Sequence, residues 1–272
     1  MPSPGAGFEW KATRVAPVLT CGALDIVAPH LFTTQRFLLG STRTGDEPWR
    51  EIADTVGCPD LIRVNQVHGR ALFVADDDAP RERPDADIIV SSRAGRAIAV
   101  QGADCIPLLV ADRRLRVVAA AHAGWRGLAQ RVPMEAVCAL SAAYGSRPAD
   151  LVVAIGPSIG ACCYEIGPDV ITAFEQSGAT RMEMARWFVA SRADVPRNTP
   201  MPGVARTPRP GHAFFDGWQC AFDQLVNAGV PHGQIHRAEL CTASHPEVLC
   251  SYRRDGASAG RIAGVIVVPR DC

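Results

Sequence analysis

Three side chains able to bind a metal each end an apolar, strand-like run. They are His68 in Asn65-Gln66-Val67-His68-Gly69, Cys105 in Ala103-Asp104-Cys105, and His122 in Ala121-His122-Ala123-Gly124. Imidazole nitrogen and thiolate sulfur both suit zinc, and three protein ligands leave a fourth position for water or substrate, which is the pattern of a catalytic site. Spacing alone does not establish it. A lone histidine is usually a satisfied structural residue and a lone cysteine a small core hydrophobe. The sixteen residues between Cys105 and His122, and the thirty-six between His68 and Cys105, match no zinc-finger spacing.

Further signals lie close by in the chain. In Gly124-Trp125-Arg126-Gly127-Leu128, two glycines let backbone approach a ligand, a helix start offers unpaired N–H groups, and Arg126 adds a fork of donors suited to phosphate. The competing reading is a plain strand-to-helix turn whose arginine sits in a surface ion pair. The stretch from Gly156 to Gly167 is dense in glycine, as a pocket-lining loop would be, and carries the neighbouring Cys162 and Cys163, for which packing is the simplest role. Ser251-Tyr252-Arg253-Arg254-Asp255-Gly256 brings two guanidinium groups and an aromatic face, fit for phosphate or base contact or for an exposed, ion-paired turn.

Positioning these residues requires strands before helices. Short apolar or β-branched runs bounded by Gly, Asp or Arg predict strands at 61–64, 71–74, 86–90, 97–100, 106–110 and 115–121. The cluster Asp76-Asp77-Asp78-Ala79-Pro80 reads as a solvated loop. After Gly127 the spacing turns helical, with Pro133 near a helix start and Tyr144-Gly145 as a stop. A strand follows at 151–155. Helices are predicted at 168–177, capped by Gly178, and at 215–228, capped by Gly229, the latter packing Trp218, Phe222, Leu225 and Val226 on the sheet. Strands at 235–240 and 261–268 close the chain. Residues 1–17 are expected to fray, and 191–211, rich in Pro and Arg without periodicity, to form a long exposed loop.

Length and composition bound the function. With 272 residues and 47% hydrophobic composition, the chain can bury one large core, and we read a single domain over 1–272. Its 28 basic residues equal its 28 acidic ones with no basic stretch, which argues against nucleic acid as a partner. No run approaches a membrane span. Ten cysteines in a chain of this size, without a secretory leader, read as reduced thiols of a cytoplasmic protein. A small compact partner fits best, and a monomer is the favoured state.

Several ordered motifs carry a resemblance. Asn65-Gln66-Val67-His68-Gly69, Ala103 to Leu109, Ala121-His122-Ala123-Gly124-Trp125-Arg126-Gly127, Ile155 to Gly160, Cys241-Thr242 and Ser251 to Ala257 together resemble the YfiH/YlmD-like family. That group was formerly labelled laccase-domain or multicopper polyphenol oxidases and is now regarded as purine nucleoside phosphorylases. The likeness covers roughly residues 60 to 268. It implies a mixed α/β (α+β) fold of two packed sheets flanked by helices. It also implies zinc, in preference to copper, on His68, Cys105 and His122. The implied activity is phosphorolysis of adenosine, inosine, guanosine and 5′-methylthioadenosine, together with deamination of adenosine.

On that reading Cys105, Asp104 and Arg126 carry catalysis, while Arg126, Gly127, Arg253 and Gln66 bind substrate or phosphate. Deamination asks for an activated water at purine C6 and a carboxylate to move protons, with Asp104 the first candidate and Glu165 the second. Phosphorolysis asks for phosphate held near the sugar C1′, a task for Arg126 and Arg253. Family members usually carry a Leu-Asn-Leu-Gly-like segment near the N-terminus, whereas here Phe32-Thr33-Thr34-Gln35-Arg36 runs into Leu38-Leu39-Gly40-Ser41-Thr42-Arg43, which puts that side of the pocket in question. Two other classes stay open. A copper polyphenol oxidase needs many imidazoles, often in His-X-His pairs, and the seven histidines here, including His30, His212, His232, His236 and His245, form none. A cysteine hydrolase or amidase editing a peptidoglycan precursor would use Cys105 as nucleophile and His122 as base.

Overall fold

The 106–112 and 118–123 strands have almost no polar face, so they need a sheet covered on both sides. The computed structural model, which describes residues 1–40, 45–78 and 81–270, supplies that cover with two six-stranded sheets stacked face to face. The first runs, in spatial order, through Phe8–Lys11, Val18–Cys21, His30–Phe32, Ile262–Val267, Ala97–Gly102 and Leu61–Arg63. The second runs through Ile235–Arg237, Leu151–Ile155, Ile106–Asp112, Val118–Ala123, Ile88–Ser91 and Leu72–Val74. Both are mixed: Leu61–Arg63, Ile235–Arg237 and Leu72–Val74 pair in parallel, and the remaining pairs are antiparallel. A small third sheet joins Glu165–Ile166, Ala213–Phe215 and Phe188–Val189.

The period-2 alternation of side chains sorts the apolar runs into three cores. Between the sheets lie Ile98, Val100 and Ile266 from one side and Ile89, Leu109, Ala111, Val118 and Ala120 from the other. Their neighbours Ile88, Val90, Leu108, Val110, Ala119 and Ala121 face outward onto the helices Val132–Tyr144 and Gly217–Asn227. On the far side of the first sheet, Ala97, Ala99, Ala263 and Val265 pack with Trp49 and Ile52 of the helix Glu47–Val56. The outcome is a helix, sheet, sheet, helix sandwich, the fold expected from the sequence with a third small sheet added.

Several sequence expectations shift in detail. The opening, expected to fray, carries a strand: Phe8–Lys11 pairs antiparallel with Val18–Cys21, and the Gly5 amide donates to the Ala238 carbonyl at 2.7 Å. The helix expected with Pro133 near its start and Tyr144-Gly145 as its stop is Val132–Tyr144, and a short helix, Trp125–Ala129, precedes it, set apart where Arg131 takes a left-handed φ of 61°. On the Gly217–Asn227 helix the fully buried face is Cys220, Ala221 and Leu225, with Trp218, Phe222 and Val226 flanking it half-buried. The 191–211 segment has no helix or long strand, but it is anchored, because Asn198 is buried. Ser41-Thr42-Arg43 and Ala79-Pro80 lie outside the described residues. Among the described residues no helix is long and apolar enough to cross a membrane.

Candidate metal centre

Residues 103–105 carry the chain from Gly102 in the first sheet to Ile106 in the second, so Cys105 stands where the two sheets meet at one end of the sandwich. It stands just before the strand Ile106–Asp112 rather than ending a run. The antiparallel register pairs Pro107 with His122 and Ile106 with Ala123, which brings Gly124 alongside Cys105. His68 arrives from the turn after Leu61–Arg63. The ligand atoms of His68, Cys105 and His122 all lie within 4.8 Å of one another, with His68 exposed, Cys105 half-buried and His122 buried. Cys105 Sγ is 3.9 Å from His68 Nε2, close to the roughly 3.5 Å that separates sulfur and nitrogen ligands on tetrahedral zinc.

Asp87 organises this centre. Its Oδ1 lies 2.8 Å from His122 Nδ1, which leaves Nε2 of that ring as the free ligand atom. Oδ1 also accepts the His68 amide at 3.1 Å, and Oδ2 accepts the amides of Val67 at 3.3 Å and Gly69 at 2.7 Å. His68 sits at a left-handed φ of 61°, and these bonds hold that turn in its uncommon conformation. Burial would raise the Asp87 carboxyl, but the His122 bond and the turn amides outweigh it and hold the group below the ordinary carboxylate range. A carboxylate behind a ligating histidine sets its tautomer and raises its basicity as a ligand. The sequence reading missed Asp87, although an aspartate inside the apolar run Ala86-Asp87-Ile88-Ile89-Val90 is itself the signal.

Gly124 keeps the space in front of the ligands open. A Cβ there would sit 2.7 Å from Cys105 Sγ and 3.3 Å from His68 Cδ2, so any side chain would fill the position of an ion. Without an ion, burial pushes the Cys105 thiol up, but His122 and His68 overcome it and bring it down to about 6. Burial works to lower His122, while Cys105 and Asp87 hold it at about 9. The donor set of two imidazoles and one thiolate, with a carboxylate behind one ring, fits a catalytic zinc.

The centre forms the floor of a cleft of about 440 Å³ whose walls include Trp125, Arg126, Tyr164, Tyr252, Arg253 and Arg261. Arg126 is exposed, its guanidinium 4.2 Å from the Trp125 ring centroid, and among the described residues it pairs with no carboxylate. Arg253 stacks 5.0 Å over Tyr164 and donates from Nη1 to the Glu165 carbonyl. Asp104 lines the cleft, but both its oxygens are engaged: Oδ1 accepts the Thr242 hydroxyl and Oδ2 the Arg253 amide, each at 2.6 Å. Burial raises its carboxyl against those bonds.

Three other expected residues behave differently. Gln66 lines the cleft, yet its amide is spent on the Gln101 backbone, donating to the carbonyl at 2.7 Å and accepting the N–H at 2.8 Å. Gly127 is buried against Val132 and lies outside the cleft wall. Glu165 turns away, its carboxylate accepting the Arg209 amide and Nε.

Residues 43–269 match a family model described as multi-copper polyphenol oxidoreductase laccase. The chain is 31% identical to a purine nucleoside phosphorylase of Bacteroides thetaiotaomicron over 67% of its length, spanning only 60% of that relative. It is 30% identical to the adenosine deaminase RL5 of an unknown prokaryotic organism, covering 76% of this chain and 74% of that one. The crystal structure of Bacillus licheniformis hypothetical protein YfiH superposes with a TM-score of 0.81 at 23% identity, covering 95% of this chain and 98% of the other. With the family model spanning most of the chain and these relatives and the fold in agreement, the chain belongs to the YfiH/YlmD-like, laccase-domain family.

Proposed function

We propose that this protein is a zinc-dependent purine nucleoside phosphorylase, acting on adenosine, inosine, guanosine and 5′-methylthioadenosine and also deaminating adenosine. The observation that carries this reading is the convergence of His68, Cys105 and His122, braced by Asp87, on the floor of a nucleoside-sized cleft rimmed by arginine and aromatic side chains. His68, Cys105 and His122 would hold the zinc, which when bound supplies a Lewis acid and acidifies water at that floor. The chain's own residues do the rest. Tyr252 offers an exposed flat face for a purine, beside Tyr164 and Trp125, each stacked by an arginine on one face, and the Arg126 guanidinium, paired with no carboxylate among the described residues, meets phosphate beside the sugar. Asp104, its carboxyl raised by burial, stands at the cleft wall as the candidate to exchange a proton with substrate, its oxygens fixed by the Thr242 hydroxyl and the Arg253 amide.

A second reading has its own support. Cys105 drawn down to about 6 beside His122 at about 9 is the electrostatics of a nucleophilic cysteine with its base, as a cysteine hydrolase requires. A copper oxidase is less well served, since, of the two ligand clusters found among the described residues, one brings together two imidazoles and the other none.

Metal analysis of the purified protein, coupled to product analysis of adenosine with and without phosphate, separates these readings. Near-stoichiometric zinc with phosphate-dependent release of adenine and ribose 1-phosphate is expected. Copper with phenol oxidation would restore the oxidase label. A metal-free protein indifferent to phosphate would favour the hydrolase.

A further inference from the structure

A second group of ligand atoms lies away from the cleft. The sulfurs of Cys162, Cys163 and Cys241 are all within 4.8 Å of one another, and all three residues are buried, at 2%, 1% and 0% exposure. They come from two separate loops. Cys162 and Cys163 lie in the turn closed by the amides of Cys163 and Tyr164 on the Gly160 carbonyl, and Cys241 is held by a parallel bridge to Ser158. Thiols that merely fill space have no need to bring their sulfur atoms together.

The surroundings suit thiolates. The Gly160 amide donates to Cys241 Sγ at 3.3 Å and the Met201 amide to Cys163 Sγ at 3.2 Å. Ser244 Oγ lies 3.6 Å from both Cys162 Sγ and Cys163 Sγ, placed to donate to either. Ile159, Ala243, Met201 and Trp218 form an apolar shell around them. Three sulfurs at about 2.3 Å from one ion stand roughly 4 Å apart, within the separation observed. A cavity of about 220 Å³ bordered by Cys162, Asn198 and Arg237 offers an entry path.

We propose that Cys162, Cys163 and Cys241 form a second, all-sulfur metal site for a thiophilic d10 cation, Zn²⁺ or Cu⁺, separate from the centre at His68, Cys105 and His122. The donor set contains no carboxylate or carbonyl ligand, so hard ions are disfavoured, and closed-shell soft ions accept three thiolates. On loading, three S–H protons pass to solvent and three sulfur–metal bonds form, with no change of oxidation state. A bound ion ties the loop that carries Tyr164 to the turn that carries Thr242, the donor to Asp104. The second site therefore stiffens one wall of the cleft.

The test uses the full chain carrying His68→Ala and His122→Ala, so that the first centre cannot hold an ion, reduced and anaerobic, with Co²⁺ as probe. One equivalent should bind with an intense thiolate-to-cobalt charge-transfer band, and Zn²⁺ or Cu⁺ should displace it. Cys241→Ser in that background should weaken binding by about tenfold or more, whereas Cys138→Ser, at an exposed thiol, should leave the band unchanged. Because the Cys241 variant could misfold, X-ray absorption on the unaltered thiol cluster provides an independent reading, expected to show three sulfur neighbours at about 2.3 Å. Absence of the band, or fewer than three sulfurs, overturns the proposal in favour of packing thiols. An intact mass short of two hydrogens, with a cystine peptide linking two of these residues, overturns it in favour of a disulfide.

Discussion

Asp87 is where one side chain governs the most chemistry, since a single buried carboxylate orients His122 and fixes the turn that presents His68. Asp87→Asn keeps the shape but replaces an acceptor oxygen with a donor, and should lower metal affinity about 10- to 100-fold in a chelator competition. Unchanged affinity would remove Asp87 from the centre. Cys105 allows a pH test in metal-free protein. A free thiol ionises near pH 8.5, but this one is held at about 6, so its thiolate is already present at neutral pH. Its alkylation by iodoacetamide should therefore rise as pH increases through about 6 and be flat by pH 8, and bound zinc should suppress it at every pH. A rise centred near 8.5 would contradict the ion-pair geometry. Arg126→Ala should raise the phosphate concentration needed for phosphorolysis by about tenfold or more while affecting deamination less. Equal losses in both would point to a structural role.

At the scale of elements, the site depends on loops held by buried polar side chains. Asn198 shows how the 191–211 segment is secured: Oδ1 accepts the Cys241 amide at 2.9 Å and faces His245 Nε2 at 3.1 Å, while Nδ2 donates to the Glu239 carbonyl at 2.9 Å. Truncation leaves these buried groups unpaired, so Asn198→Ala should cost about 2–4 kcal/mol, read by urea unfolding. It should also speed tryptic cleavage at Arg197 and Arg206 within the segment. A loss under about 0.5 kcal/mol, within the range of ordinary surface substitutions, would mean that the loop is held by other contacts. The strands of the second sheet were legible because their runs are apolar and β-branched, and 151–155 matched to the residue. The N-terminal strands were not, because Gly, Pro and Ala mask their pattern and their pairing partners are distant in sequence or supplied by a turn.

For the whole molecule, stability rests on the core between the sheets. Leu109 is fully buried there, beside Val100 and Ile266, and its neighbours come from strands that cannot collapse without breaking ladder bonds. Leu109→Ala should cost about 2–5 kcal/mol in equilibrium unfolding, and a loss below about 1 kcal/mol would show slack between the sheets. The same stacking creates the site, because the chain passes from one sheet to the other at residues 103–105 and leaves Cys105 facing the end of the His122 strand.

What the sequence by itself determined was the local and chemical layer: residue types fit for zinc, apolar runs of strand length, helix stops at Gly178 and Gly229, and motifs sufficient to place the chain in its family. The tertiary structure decided which of those residues meet. His68, Cys105 and His122 are separated by thirty-six and sixteen residues and converge only through sheet register and the crossover at Cys105. Gln66 and Glu165, both chemically suited to a site, are consumed by backbone and by Arg209. Asp87, unremarked in the sequence, and Gly124, read there only as a residue that lets backbone approach a ligand, became central through contacts that exist only in the folded chain. Periodicity and composition report what a residue can do within its own segment, whereas a ligand geometry depends on distances across segments, which packing alone sets.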